Sequence, residues 1–247
     1  MRPFDLVRQL LPKPVRRRLL RWTRRPSVGR VDLGQLRRLK PISRDWGGDR
    51  GRPLDRTYIE QFLAEHADAI RGRMLEVGDA TYTHQFGGDR VERAEVVTAA
   101  TGTEADYVAD LVDAPELPSA AFSGIVCTQT LQLVRDPIAT VATLHRILEP
   151  GGVLLITVPG ASPLEIDADG RWLDRWRFTR HGLRTLLETA FEPSSIEVVG
   201  YGNVLASIAF FHGLAGDELS DEELDHRDER FDLLVAARAV RSTEATP

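Results

Sequence analysis

The sequence LEPGG at residues 148–152 separates an apolar run with helical spacing, Ile138 to Leu148, from a run rich in β-branched residues, Gly152 to Val158. Proline and glycine end a helix and turn the chain sharply, whereas branched side chains favour strands. The stretch therefore predicts a helix that leads directly into a strand. A helix and a strand joined in this way form the repeating unit of an α/β domain.

Other short apolar runs alternate with polar or helical stretches on both sides of this unit. Strands are predicted at residues 73–78, 95–99, 107–110, 124–127, 152–158, 196–199 and 231–240, and helices at 58–70, 138–148 and 183–191. Alternation of strands and helices indicates a parallel, doubly wound sheet, and the last two strands are predicted to pair antiparallel at its edge. We expect an α/β fold with a Rossmann-like, seven-stranded sheet, mostly parallel with an antiparallel edge strand.

The length of 247 residues and the hydrophobic content of 42% fit one main domain. We predict a basic N-terminal extension at residues 1–45, partly helical or mobile, with a helix at about 15–23. The domain is predicted at residues 46–241, with an insertion at 203–230 that covers the site, and a disordered tail at 242–247. The single cysteine, Cys127, excludes an internal disulfide and a cysteine-based metal cluster, so we expect a buried thiol and no metal site.

Charged residues are distributed unevenly along the chain. Residues 1–40 contain thirteen Lys or Arg and two Asp, which gives +11, whereas the remainder carries 19 basic and 35 acidic residues, which gives −16. A basic segment of this kind contacts anionic lipid, nucleic acid or the acidic domain itself. The longest uncharged apolar runs, 153–158 and 204–211, are far shorter than the ~20 residues that cross a bilayer. We expect a cytoplasmic protein that contacts the membrane peripherally through residues 1–40.

The first predicted strand ends in the sequence MLEVGD at residues 74–79. In open α/β sheets ligands bind at the carboxyl ends of strands, and Gly78 there allows the backbone to approach a ligand closely. Asp110, which closes the third predicted strand, supplies a carboxylate that accepts strongly from an amine. These residues are the first candidates for a binding site, against the alternative that they form ordinary turns and caps.

The order of motifs extends this interpretation. Asp110 is followed by FSGIVCTQTL at 122–131, LHRILEPGGVL at 144–154 and WRFT at 176–179. This succession resembles the class I S-adenosylmethionine-dependent methyltransferases, particularly the small-molecule branch called type 11, over residues 70–160. The resemblance implies transfer of a methyl group from S-adenosylmethionine to a small-molecule or glycan-like acceptor.

The same resemblance implies where the cofactor binds. Glu76, Gly78 and Asp79 match the positions at the end of the first strand, together with Tyr82 of the following loop. Asp110 matches the acceptor for the adenine amine, with Leu111 beside it, while Thr128 and Gln129 follow the fourth strand and face the methionine portion or the acceptor.

Two features of the sequence depart from the family pattern. The usual loop Glu-x-Gly-x-Gly-x-Gly has Ala80 and Tyr82 at its second and third glycine positions, so the loop must take another path if it binds cofactor. The second strand ends in TAAT at 98–101 instead of the acidic residue that holds the ribose, and the stretch 100–106 is short for a helical crossover.

Candidates on the acceptor side are histidines and a cluster of aromatic and basic residues. His84 lies in the altered loop, and His181 lies at the start of a helix that Thr179 caps; both are candidate general bases. Trp172, Trp176 and Arg177 are candidates for substrate binding by stacking and charge. Solvent-exposed histidines and a lid packed on the core are the alternatives.

Three other functions compete with methyl transfer. A methyltransferase-like protein that has lost catalysis and acts in binding or assembly would explain the missing glycines. A nicotinamide-dependent oxidoreductase requires a glycine-rich turn that leads directly into a helix, which this sequence lacks. Nucleic-acid modification is disfavoured by the acidic domain, and we predict no specific nucleic-acid partner.

Overall fold

A computed structural model describes residues 12, 14, 15, 26, 30–101, 105–166 and 173–243. Contacts divide the chain into two units, residues 1–40 and residues 41–247. The helix predicted at about 15–23 lies almost wholly outside the described residues, as do residues 244–247 of the predicted tail. The sheet and its cavities belong to the second unit.

Seven strands form one sheet in the order β3-β2-β1-β4-β5-β7-β6. They are β1 (Gly72–Val77), β2 (Val91–Thr98), β3 (Tyr107–Val108), β4 (Phe122–Thr128), β5 (Leu148–Pro159), β6 (Ile196–Tyr201) and β7 (Leu234–Val240). Strand β7 runs antiparallel to both β5 and β6, and the pairs from β3 to β5 are parallel. The predicted fold class and the antiparallel edge pair are confirmed, with β6 as the edge strand.

Helices cover both faces of the sheet. They are α1 (Leu54–Glu65), α2 (Pro137–Ile147), α3 (Arg180–Leu187), α4 (Val204–Phe211) and α5 (Asp221–Asp225). Side chains alternate along each strand: Leu75 of β1 packs with α2 and α3, whereas Met74 packs with α1 and α4. Each face therefore has its own hydrophobic core. No helix in the described parts of the chain is long and apolar enough to cross a membrane.

The LEPGG stretch joins α2 to β5, as predicted, but the strand begins at Leu148 rather than at Gly152. Leu148 pairs with Phe122, and the register then shifts before Gly124 pairs with Val153. Gly151 has a φ of 83°, which favours glycine, and a Cβ on Gly152 would lie 2.9 Å from the carbonyl oxygen of Glu149. The glycines therefore form an irregularity at the start of the strand.

Other element boundaries also differ from the predictions: α1, for example, spans Leu54–Glu65, where a helix was predicted at residues 58–70. Strand β2 begins at Val91 instead of residue 95, because its first residues pair with β1 although their side chains are mostly polar. Helix α3 begins at Arg180, directly after Thr179, whose hydroxyl accepts from the backbone nitrogen of Gly182 at 3.0 Å. Thr179 is therefore the helix N-cap, as predicted.

Residues 203–230, predicted to cover the site, pack behind its wall. The backbone nitrogen of Gly216 donates to the carbonyl of Arg52 at 2.7 Å, and the hydroxyl of Tyr58 in α1 donates to the carbonyl of Leu224 at 3.1 Å. None of these residues lines either of the two cavities described next. The segment supports α1 and the loop before it because its buried side chains face α1 and not the strand ends.

Candidate active site

Two cavities open at the carboxyl ends of the parallel strands. Cavity A has a volume of about 650 Å³ and cavity B about 580 Å³. Val77, Thr128, Gln129 and Glu165 line both of them. Because a doubly wound sheet binds its ligands at this edge, the two adjoining cavities are the candidate active site.

Cavity B lies over the ends of β1, β2 and β4 and beside the turn after β3. Gly78 has a φ of 104°, and no atom lies within 4 Å of the position that a Cβ would take there. Leu111 is buried, whereas the carboxylate of Asp110 is exposed and lies 3.3 Å from Arg135. The cavity thus combines an open backbone, an apolar floor and a carboxylate at its rim, which suits a flat, amine-bearing ring.

The loop after β1 is closed by the carboxylate of Glu76. Its two oxygens accept the backbone N–H groups of Tyr82 at 3.2 Å and Thr83 at 2.7 Å. Asp79 accepts from the backbone nitrogen of Thr81 at 2.8 Å. Burial raises the pKa of Glu76 to about 7. Glu76, Asp79 and Tyr82 all line cavity A, so the first-strand candidates are divided between the two cavities.

Tyr82 explains how the chain accommodates the missing glycines. Its backbone is right-handed helical, with φ −72° and ψ −36°, and it precedes a π-helical turn, Thr83–Gly87. A side chain is unstrained in this conformation. The ring packs against Phe86, with 6.2 Å between centroids, and lines cavity A but not cavity B. The loop therefore takes a helical path, and Tyr82 forms part of a wall.

The segment after β4 lies between the cavities. Gln129 has a φ of 46°, and its backbone nitrogen donates to Thr157 at 3.0 Å. Gln132, which the sequence analysis missed, is 5% exposed and lines cavity A. Its Nε2 donates to the backbone oxygen of Gln129 at 2.8 Å and to its Oε1 at 3.2 Å. A polar residue between Leu131 and Leu133 is the sequence signal that would have indicated it.

The acceptor-side candidates separate in the structure. Arg177 lines cavity A, where its guanidinium pairs with Asp174 and donates to the carbonyl of Pro163 at 2.7 Å. Trp176 is 42% exposed, donates from its indole nitrogen to Val134 at 2.9 Å and lines neither cavity. Trp172 lies outside the described residues. Of the three, Arg177 alone has been placed at a cavity.

The structure does not bring the candidate general bases to the cavities. His84, in the π-helical turn, and His181, in the first turn of α3, are both exposed, and neither lines cavity A or cavity B. Cavity A is instead lined from the N-terminal side by Asp45, Trp46 and Asp55, which the sequence analysis did not single out. In the described parts of the chain no three His, Cys, Asp or Glu side chains are grouped so as to hold a metal ion.

Comparisons with known proteins agree with this geometry. A family model of methyltransferase domains matches residues 56–199, which are 144 of the 247 residues. The solved structure of the [4+2]-cyclase SpnF is similar at 16% identity, covering 79% of this chain and 85% of that one, with a TM-score of 0.52. A methyltransferase from Archaeoglobus fulgidus is similar at 13% identity, covering 75% and 94%, with a TM-score of 0.50.

A search of curated protein sequences finds no significant match. At such identities the solved structures establish the fold, whereas the family match covers more than half of the chain. The chain therefore belongs to the S-adenosylmethionine-dependent methyltransferase family, as its sequence predicts.

Proposed function

We propose that this methyltransferase acts on a small-molecule or glycan-like acceptor, with the nucleoside part of S-adenosylmethionine in cavity B and the acceptor in cavity A. S-adenosylmethionine supplies an electrophilic methyl group on a sulfonium, which leaves as an uncharged thioether. The observation that carries the proposal is that the two cavities adjoin, sharing Thr128 and Gln129 at the end of β4. A methyl donor in one cavity and an acceptor in the other would therefore be held next to each other, so the methyl group can be transferred directly.

The residues of cavity B fit a nucleoside. Asp110 offers a carboxylate to an exocyclic amine, Leu111 offers an apolar contact, and Gly78 leaves the backbone of the first loop accessible. The end of β2 presents Thr98 and Ala99, so the ribose meets a hydroxyl and a methyl group instead of a carboxylate. We infer that adenine recognition through Asp110 contributes more to cofactor affinity here than ribose recognition does.

The residues of cavity A fit the remainder of the donor and the acceptor. Asp79 places a carboxylate at the end of β1, on the side where a methionine portion and its ammonium group would lie, and the oxygens of Glu76 lie beside it. Arg177 and Pro163, which are joined by a hydrogen bond, line the same cavity in the segment that follows β5. We propose that these residues orient the two reactants and exclude water, and that they supply no covalent chemistry.

Isothermal calorimetry with S-adenosylhomocysteine tests this proposal directly. We expect saturable 1:1 binding at micromolar to submillimolar ligand, competed by S-adenosylmethionine. Absence of binding at millimolar ligand would overturn the proposal and favour the alternative of a methyltransferase-like protein that acts in binding or assembly. Binding that Asp110→Asn leaves unchanged would move the nucleoside out of cavity B.

We further propose peripheral contact with anionic membrane surfaces. The thirteen Lys or Arg of residues 1–40 support it, and so does the exposed face of α4. Val204, Leu205, Ile208 and Phe211 are each at least 40% exposed and follow one another at helical spacing. The backbone nitrogens of Ile42 and Ser43 donate to the carbonyl oxygen of His212, the residue that follows this helix.

Cosedimentation with vesicles tests this contact. The full chain is expected to bind vesicles that contain phosphatidylserine more strongly than vesicles of phosphatidylcholine alone. Phe211→Asp, on the exposed face of α4, should weaken binding, whereas Ile138→Asp, at a somewhat more exposed apolar position on α2, should not. Equal binding to both kinds of vesicle, or equal loss in both variants, would contradict the proposal.

A further inference from the structure

Carboxylates dominate the lining of cavity A. Seven acidic side chains face it, against two basic ones; the acidic ones are Asp45, Asp55, Glu60, Glu76, Asp79, Glu165 and Asp174, and the basic ones are Arg56 and Arg177. An excess of one charge on a concave surface selects ligands of the other charge. The strength of this selection depends on how many of the carboxylates form ion pairs within the protein.

Part of the charge is internally paired. Arg177 pairs with Asp174, and Arg52 pairs with Glu60 at 3.0 Å. In contrast, Asp45, Asp55 and Asp79 form no ion pair within the described parts of the chain. The carboxylate of Asp55 accepts from the backbone nitrogen of Arg56 at 2.8 Å. Among the described lining residues, three carboxylates therefore form no ion pair, against one unpaired cation, the exposed Arg56.

Gln132 provides an independent sign of a ligand that donates hydrogen bonds. Its Nε2 donates to two oxygens of Gln129, which fixes the orientation of the amide. Its Oε1 is buried and accepts from no group in the described residues. An unsatisfied buried acceptor costs about 1–3 kcal/mol, so a ligand that brings an N–H to this wall gains by satisfying it.

The unpaired groups lie on two sides of the cavity. Asp79 follows β1, on the proposed donor side, where its carboxylate would face the positive charges of S-adenosylmethionine. Asp45 and Asp55 come from the loop before α1 and from its first turn, and Gln132 comes from the segment after β4. These three remain for the acceptor, and each of them presents an oxygen that accepts hydrogen bonds.

We infer that the acceptor is an amine, bound as a cation in cavity A by Asp45, Asp55 and Gln132 and methylated on nitrogen. This inference rests on the proposed function. The bound ammonium gives up a proton to a carboxylate or to water, and the nitrogen then gives its electron pair to the methyl carbon. The carbon–sulfur bond breaks with its pair on sulfur, so the products are a methylated ammonium and the neutral thioether.

Ligand binding tests the inference without requiring turnover. With S-adenosylhomocysteine saturating, calorimetry compares phenethylamine and butylamine with the alcohol and the carboxylate of the same carbon skeletons. We expect the amines to bind about tenfold more tightly than the alcohols, which corresponds to about 1.4 kcal/mol, and the carboxylates to bind least. Amines that bind no better than their alcohols, or do not bind at all, would overturn it.

Matched variants locate the effect. Asp55→Asn and Asp45→Asn should each weaken amine binding about fivefold while leaving affinity for the alcohols and for S-adenosylhomocysteine unchanged. Asp89→Asn, the same change at an exposed position outside both cavities, is the control. Burial raises the pKa of Asp55, so a neutral side chain there should not destabilise the fold.

Different results would contradict the proposed function and the identity of the acceptor. A wild-type chain that does not bind S-adenosylhomocysteine would overturn the proposed function and the inference together. A chain that binds it but shows no preference for amines, or in which Asp55→Asn behaves like Asp89→Asn, would overturn only the identity of the acceptor.

Discussion

The Oε2 atom of Glu76 lies 2.7 Å from the backbone nitrogen of Thr83, across a loop in which two of the family's glycines are replaced. By accepting two backbone N–H groups, the carboxylate fixes the path of a loop that lacks these glycines. A charge held in this way, almost fully buried, makes the stability of the domain depend on pH.

The first prediction concerns that dependence. The pKa of Glu76 is about 7 in the folded chain, above its ordinary value of 4.5, so the folded state holds the proton more tightly than the unfolded state. Glu76 therefore lowers the free energy of unfolding as pH rises from about 4.5 to about 7, by about 3 kcal/mol in all. Urea denaturation at about pH 5 and about pH 8 should show this loss, and Glu76→Gln should remove it. An identical slope in the variant would contradict the assignment.

The second prediction concerns cofactor recognition. Asp110→Asn should weaken binding of S-adenosylhomocysteine about tenfold, because a charged acceptor for the adenine amine becomes a neutral one. Arg135→Ala should change affinity by less than about threefold, since its ion pair with Asp110 is exposed. Asp113→Asn, at an exposed position outside both cavities, is the control, and calorimetry is the measurement.

The third prediction is that Tyr82 lines cavity A without obstructing the binding of the cofactor. Tyr82→Gly restores the family residue but removes the packing against Phe86 and loosens a helical turn, so the free energy of unfolding should fall by about 2 kcal/mol. Tyr82→Phe should change it by less than about 1 kcal/mol. Affinity for S-adenosylhomocysteine should not rise in either variant. A tenfold gain in Tyr82→Gly would indicate that the ring obstructs the cofactor.

The fourth prediction concerns the pair between Arg177 and Asp174. The Asp174 side chain is 4% exposed, so Arg177→Ala leaves a buried charge without its partner and should destabilise the domain by about 3 kcal/mol. Asp174→Asn in the same chain should restore part of the loss because it removes that charge. A double-mutant cycle by chemical denaturation measures the coupling. Additive losses would show that the pair does not act as a unit.

The fifth prediction concerns the histidines. Since neither His84 nor His181 lines a cavity, His84→Ala and His181→Ala should each change turnover of an amine acceptor by less than about threefold. Turnover is measured by transfer of labelled methyl from S-adenosylmethionine. A loss of a hundredfold or more in either variant would restore that histidine as a general base and require the loop or helix to move.

The sheet was predictable because its signals are local. The alternation of residues such as Met74 and Leu75 between two cores, and the turn at residues 148–152, follow from spacing within one element. The predicted cofactor residues also meet, since parallel strands bring their carboxyl ends to one edge. The residues proposed for the acceptor side were not predictable, because Asp45, Asp55 and Gln132 belong to elements that are distant in the sequence and line one cavity only in the folded chain.

The direction in which individual side chains point could likewise not be predicted from the sequence. Trp176 and Arg177 are neighbours in the sequence, yet Arg177 lines cavity A whereas Trp176 lines neither cavity. The indole nitrogen of Trp176 donates instead to the carbonyl oxygen of Val134. Adjacent residues in an extended segment point to opposite sides, and composition alone does not tell which side faces the ligand.

The position of β7 has a consequence for biosynthesis. Among the described strands it comes last in the sequence, but it lies inside the sheet, between β5 and β6. During translation β5 and β6 emerge without the neighbour that joins them, so their facing edges stay unpaired until residue 240 has left the ribosome. A nascent chain stalled before that point exposes two strand edges to chaperones and to other nascent chains.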